Sequence, residues 1–145
     1  MLKWVLIFAA VCALTTARAA DAPTAPTAAP ATPAATAYII SPADGAEVTS
    51  PFVVQFGLKG MGIAPAGVEF ANTGHHHLLI DVAELPPKGK PIPADETHRH
   101  FGKGQTETEL SLPPGRHTLQ LLLGDHLHIP QDPPVTSAKI TITVK

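Results

Sequence analysis

Apolar and polar residues alternate along several short segments of the chain. The alternation is clearest at residues 137–144, where Ile140, Ile142 and Val144 share one parity. A period of two residues is typical of strands that bury one face. Turn-forming sequences separate these segments, including Ser-Pro-Ala-Asp-Gly at 41–45. The segments predicted to be strands are 37–40, 46–49, 52–58, 75–82, 106–112, 116–123 and 137–144.

Short strands without a convincing amphipathic helix indicate an all-β fold. Six or seven strands within residues 38–145 predict a single immunoglobulin-like β-sandwich. Two connections, at 83–104 and 124–136, are long and rich in proline. Long ordered loops commonly carry function. We expect both loops at one end of the sandwich, because 75–82 begins where 116–123 ends if the two strands are antiparallel neighbours.

The first 19 residues have the layout of a secretory signal peptide. Lys3 precedes an apolar run at 4–14, and small residues flank a predicted cleavage after Ala19, with Ala20 as the alternative. The run is too short for a permanent membrane helix. Val11 stands before Cys12 where a lipoprotein signal has a small residue, which disfavours lipid attachment. We therefore expect an exported, periplasmic protein of the Gram-negative type, without a membrane span in its mature chain.

Residues 20–37 consist of Ala, Pro and Thr except for Asp21. Frequent proline prevents a helix, and the side chains are too small to form a core. This composition predicts a disordered linker between the signal peptide and the domain.

Charge and cysteine content exclude several functions. Removal of the signal peptide leaves 8 basic and 12 acidic residues, a net charge of −4 with neutral histidine, which is unsuited to nucleic acid. Cys12 is the only cysteine, so the mature chain has no disulfide, thiolate nucleophile or blue-copper ligand. The sequence contains no hydrolase motif. We expect a protein that is not an enzyme.

Six of the eight histidines form three His-x-His pairs. On a strand, residues i and i+2 face the same side about 6.6 Å apart, so both imidazoles can bind one ion at about 2.0–2.1 Å. The predicted metal ligands are His75, His77, His126 and His128, with His98 and His100 closing over the ion or forming a second site. Imidazole ligands without cysteine favour copper, and zinc next. Met61 is the only methionine of the mature chain, which disfavours a methionine-rich Cu(I) carrier.

Parity separates the remaining histidines from these pairs. His76 shares its parity with Leu78 and Ile80, which predicts that it faces the core while His75 and His77 face the other side. His117 follows a Pro-Pro-Gly corner and is expected to be structural. Loop anchors and carboxylates that could orient imidazoles are also predicted. The anchors are Leu127 and Phe101, and the carboxylates are Asp81, Asp125 and Asp132.

Three stretches together resemble a family of small exported bacterial proteins, domain of unknown function 4399. They are GHHHLLID at 74–81, HFGKGQTETELSLPPGRHTLQLLLGDHLHIP at 100–130 and DPPVTSAKITITV at 132–144. The resemblance implies an exported domain with histidine motifs and brings no established activity.

Three functions remain open from the sequence. The first is a non-catalytic module that stores, buffers or delivers copper or zinc. The second is an accessory or interaction domain, acting with another periplasmic protein, whose histidines are structural or respond to pH near 6.5. The third is a metalloenzyme resembling copper-zinc superoxide dismutase in its His-x-His on a sandwich, but the paired cysteines of that family are missing.

Overall fold

The computed structural model describes residues 34–145, which contain nine strands and no helix. The predicted signal peptide and most of the predicted linker lie outside the described residues. Within the described part, no helix of the length and apolarity needed to cross a membrane is present. The strands are β1 (Thr36–Ser41), β2 (Glu47–Val48), β3 (Phe52–Lys59), β4 (Gly62–Ile63), β5 (Thr73–Ile80), β6 (His98–His100), β7 (Glu107–Leu110), β8 (Gly115–Gly124) and β9 (Ile140–Val144).

The strands form two sheets, which confirms the all-β sandwich. One sheet has three strands in the order β1-β3-β7, all antiparallel. The other has the order β2-β9-β8-β5-β4, with β6 also paired to β5. The two longest strands of this sheet, β5 and β8, are antiparallel neighbours, and His75 lies opposite Gly124. The loop 124–136 therefore begins beside His75, as predicted. The loop 83–104 begins at the opposite end of β5, contrary to the prediction, and reaches the histidine end only through β6, which sets His100 opposite His77.

The main core lies between the facing sides of the two sheets. Phe56 of β3, Leu78 of β5 and Leu121 of β8 are among its fully buried members. On β9, Ile140, Ile142 and Val144 all face this core, as their alternation predicts. The hydrophobic pattern was sufficient here because each strand presents one apolar side to a single partner layer.

A second, smaller apolar cluster covers the outer side of β5 and β8. Ile92, from the long loop after β5, packs against Leu79 and Leu122. Seven consecutive residues of β5, from Gly74 to Ile80, are buried as a result. Strand β5 therefore has no solvent-exposed face, and its outward side chains lie beneath loops.

The strands differ from the sequence-based prediction in several places: β4 was not predicted, and β9 begins at Ile140, three residues later than predicted. Strand β1 begins at Thr36, inside the predicted linker, and Ala37 is only 1% exposed because it packs in the core. Strand β6 lies inside the predicted loop 83–104. Its sequence His-Arg-His has no apolar alternation, so only its pairing with β5 reveals it as a strand.

Candidate metal centre

Three consecutive histidines of β5 are completely buried. His75, His76 and His77 each have 0% exposure. The ring of His76 faces the core, where it packs edge-on against Phe56 with ring centroids 4.9 Å apart. His75 and His77 lie on the opposite side of the strand because successive side chains alternate. The predicted orientation of all three residues agrees with the structure.

The two outward histidines of β5 direct ring nitrogens at each other. The Nε2 atoms of His75 and His77 are 3.1 Å apart. Two nitrogens bound to one ion at about 2.0–2.1 Å with a tetrahedral angle are about 3.3–3.4 Å apart. The observed separation is close to this value. The pair is thus arranged as a chelating pair, as its strand spacing predicts.

His100 comes from the short strand β6 and joins the pair from the side. It lies opposite His77 in the register of β5 and β6. Its ring centroid is 5.0 Å from that of His77 and 5.0 Å from that of His75. A Cβ atom on Gly102 would overlap the His100 ring, so the glycine leaves space for this imidazole.

His128 approaches from the loop after β8. Its ring centroid is 5.0 Å from that of His75 and 4.7 Å from that of His100. Gly124, opposite His75, provides the space because it has no side chain. A Cβ atom there would lie 3.0 Å from His77 Nε2 and 3.3 Å from His128 Cα.

We call His75, His77, His100 and His128 the histidine cluster. One ring nitrogen each of His75, His100 and His128 lie within 4.8 Å of one another. His75 and His77 are fully buried, whereas His128 is half-buried and His100 is exposed. The cluster therefore has an inner pair on a rigid strand and an outer pair on the solvent side.

Three imidazoles of the cluster, those of His75, His77 and His100, have lowered pKa values that favour the neutral form. Burial, with repulsion from the neighbouring histidines, lowers the pKa of His75 to about 4 and that of His77 to about 3. Burial also lowers the pKa of His100, with His128 contributing. Neutral imidazoles have a free lone pair at neutral pH, which is the form that binds metals.

The pairing of ring nitrogens within the inner pair is incomplete. The Nδ1 atoms of His75 and His77 are buried and have no hydrogen-bond partner in the structure. No carboxylate of residues 34–145 bonds to a ring nitrogen of the histidine cluster. Unpaired buried polar groups are costly, and the hydrogen-bond contact between the two Nε2 atoms leaves both Nδ1 atoms unsatisfied.

Two of the six predicted ligands lie outside the cluster. His98 is two residues further along β6, opposite Leu79, and its Nδ1 donates to Asp95 Oδ1 at 2.9 Å. His126 lines a neighbouring cleft with Met61 and Phe70. The predicted convergence therefore holds for four histidines and not for six. His98 is excluded because β6 brings only His100 opposite a member of the inner pair. His126 is excluded because the chain around His128 is not extended.

The predicted anchors and orienting carboxylates are only partly correct. Phe101 is buried in the core, as expected, but Leu127 is 56% exposed and anchors nothing. The three carboxylates have other partners. Asp81 binds His117, Asp125 binds backbone N–H groups of its own loop, and Asp132 binds Lys88.

Sequence reasoning missed the residues that position the cluster. Ile92 is one of them, because its backbone N–H donates to the carbonyl of His128 at 2.8 Å while its side chain is buried. Gly102 and Gly124 are the others. Each glycine lies within two residues of a histidine pair, and this proximity could have indicated that the glycine makes room for an imidazole. No feature of the neighbouring sequence identifies Ile92 as a positioning residue.

Comparisons with known proteins agree with the sequence resemblance. Neither the curated proteins nor the solved structures contain a match to the chain. A family model described as "Domain of unknown function (DUF4399)" matches residues 54–145, which include all eight histidines. The chain belongs to this family.

Proposed function

We propose that this protein is a non-catalytic metal-binding protein that holds one Cu(II) or Zn(II) ion through His75, His77, His100 and His128. The observation that carries the proposal is the convergence of four imidazoles from three separate segments, with ring centroids 4.7–5.9 Å apart. Ring nitrogens of His75, His100 and His128 lie within 4.8 Å of one another, and His77 Nε2 lies 3.1 Å from His75 Nε2. The cluster can therefore supply up to the four donors that both ions accept.

The donor set supports a borderline metal over a hard one. Mg²⁺ and Ca²⁺ prefer oxygen ligands, and no carboxylate bonds to the imidazoles of the cluster within residues 34–145. Soft Cu(I) prefers thiolates and thioethers, which the cluster does not contain. An all-imidazole set leaves Cu(II) as the first choice and Zn(II) as the second.

The structure favours metal binding over a pH-responsive patch. A switch near pH 6.5 requires histidines that titrate there, but the pKa of His75 is lowered to about 4 and that of His77 to about 3. Binding of a divalent ion would use the neutral form that burial maintains. Export to the periplasm belongs to the proposal as well, since it rests on the sequence of residues 1–19 alone.

Calorimetric titration of the mature chain, purified without a histidine tag, tests the proposal. Cu(II) and Zn(II) are added separately to the wild type and to a His77→Ala/His128→Ala variant. We expect one ion per chain for the wild type and at least a hundredfold loss of affinity in the variant. His126→Ala is the matched control, because it removes a histidine from the same loop but outside the cluster. Equal affinities in the wild type and the double variant would refute the proposal.

Ligand counting distinguishes the cluster from adventitious surface binding. The Cu(II) electron paramagnetic resonance spectrum of the wild type should show several equivalent nitrogen couplings, which exposed single histidines do not give. The His126→Ala spectrum should be unchanged. A spectrum dominated by oxygen ligands would show that the cluster does not hold the ion.

A further inference from the structure

The loop that carries His128 is organised by one side chain, that of Asp125. Asp125 Oδ1 accepts hydrogen bonds from the backbone N–H groups of Leu127 at 2.8 Å and Ile129 at 2.9 Å. The main chain of Asp125 adds two more, donating to Ile129 O and accepting from His128 N, each at 2.9 Å. Four hydrogen bonds thus close a turn of five residues.

This turn gives His128 an unusual backbone conformation. Its φ is 67°, in the left-handed region that residues with a side chain rarely adopt. Such a conformation persists only where the surrounding structure determines it. The hydrogen bonds of Asp125 do so, together with the bond from Ile92 N to His128 O.

The turn also explains why only one histidine of this His-x-His pair joins the cluster. In an extended chain, His126 and His128 would face the same side. The left-handed residue breaks this alternation, so His128 packs on His75 and His100 while His126 lines the cleft with Met61 and Phe70. The choice between the two is therefore made by the turn and not by spacing.

The charge of Asp125 also acts on the cluster. Its carboxylate favours the protonated form of His75 and so raises the pKa of His75, against the larger effect of burial. The negative charge of Asp125 would favour a divalent cation at the same place, since the four imidazoles are uncharged when they bind it.

We propose that Asp125 is the positioning residue of the metal centre, which selects His128 over His126 as a ligand by fixing the turn between them. Asp125 touches no ion in this role and acts through the backbone of residues 127–129. The inference rests on the proposed function, because it assigns a positioning residue to the same metal centre.

Two substitutions separate the turn from the charge. Asp125→Ala removes the acceptor and the charge, and Asp125→Asn retains an acceptor oxygen for Leu127 and Ile129. Asp132→Ala is the matched control, because it removes the same charge from the same loop but breaks only an exposed bond to Lys88. The probes are Cu(II) for spectroscopy and Zn(II) for affinity.

The expected results form a graded series. Asp125→Ala should bind 10–100-fold more weakly, the usual effect of losing a supporting group, and its Cu(II) spectrum should lose one nitrogen coupling. Asp125→Asn should restore the wild-type spectrum and most of the affinity, and Asp132→Ala should match the wild type. A residue that merely stabilises the fold would lower the melting temperature without changing the nitrogen count.

A measurement on the unaltered chain keeps the inference testable if Asp125→Ala does not fold. With Zn(II) bound, the ring ¹⁵N shifts of His128 should change and those of His126 should not. A change at His126, or an Asp125→Ala variant with wild-type spectrum and affinity, would overturn the inference alone. Failure of the wild type to bind either ion would overturn the proposed function together with it.

Discussion

The two ends of the β5–β8 pair hold histidines of opposite character. At the end where β8 begins, His117 Nδ1 donates to Asp81 Oδ2 at 2.7 Å and Nε2 donates to Pro113 O at 2.9 Å. Two donating nitrogens require an imidazolium, and the hydrogen bond to Asp81 raises the pKa of His117. At the other end, His75 and His77 have lowered pKa values and only other histidines around their facing nitrogens.

The difference shows what distinguishes a structural histidine from a candidate ligand. His117 has an acceptor for each of its N–H groups, and Asp81 Oδ1 also accepts from Thr118 N at 2.7 Å, so the group is a closed network. In the histidine cluster, by contrast, the Nε2 atoms of His75 and His77 contact each other at 3.1 Å, and their buried Nδ1 atoms have no hydrogen-bond partner. The first arrangement is complete without a ligand, whereas the second would be completed by the cation proposed above.

The largest expected effect is on stability against pH without metal. Because the folded pKa values of His75, His76 and His77 lie below 6.5, the unfolded chain binds more protons below that pH. The contribution of these histidines to the free energy of unfolding is therefore full above pH 6.5 and is lost as the pH falls towards about 4. The loss is about 1.4 kcal/mol per pH unit for each histidine. His117 contributes in the opposite direction, since its raised pKa stabilises the fold at low pH and loses effect as the pH rises.

Urea unfolding at several pH values in the presence of a chelator measures this effect. We expect the free energy of unfolding to fall by several kcal/mol between pH 7 and pH 4.5. The His75→Leu/His77→Leu variant should show a much flatter profile. A wild-type profile that is flat in this range would contradict the burial of neutral histidines.

The next effect is stabilisation by metal. An ion that binds only the folded chain should add about 2.7 kcal/mol at 100 times its dissociation constant. Scanning calorimetry should show this rise for the wild type and for His117→Ala, but not for His75→Ala/His77→Ala. If His117→Ala lost the rise as well, the two ends of the strand pair would not be functionally separate.

A smaller effect is expected for the core histidine. Both ring nitrogens of His76 are buried without a partner, and burial lowers its pKa to about 4. Replacement with leucine removes this penalty, so His76→Leu should stabilise the fold by about 1–2 kcal/mol. Its metal affinity should equal that of the wild type, because His76 faces away from the cluster. Loss of metal binding in this variant would contradict a site on the outer side of β5, formed by His75 and His77.

The smallest effect is expected at the other end of the strand pair. His117→Ala removes two hydrogen bonds of a partly exposed group and should cost about 1 kcal/mol at pH 6. Chemical denaturation at pH 6 and at pH 8 measures the difference, which should shrink at the higher pH. A loss that is larger at pH 8 would show that His117 is neutral in the fold.

Much of the fold followed from the sequence because it depends on local alternation. The periodicity of Ile140, Ile142 and Val144, and the parity that divides His76 from its neighbours, gave the correct buried faces. The inner pair of the cluster was also predictable, since two histidines at i and i+2 on a regular strand share a side wherever the strand lies.

The outer half of the cluster was not predictable in the same way. His100 is included and His98 excluded only because β6 meets β5 at His77, and a strand without apolar alternation leaves no signal of its register. His128 is included and His126 excluded by a turn that Asp125 closes. The rule that i and i+2 face one side does not apply within a turn.

The sequence by itself determined much of the strand pattern, the family and the grouping of six histidines in three His-x-His pairs. Only the tertiary structure decided which four of the eight histidines meet, because that depends on strand register and on one left-handed backbone angle. The register is set by contacts between residues far apart along the chain. The angle is set by the turn that Asp125 closes together with the long-range hydrogen bond from Ile92 to His128.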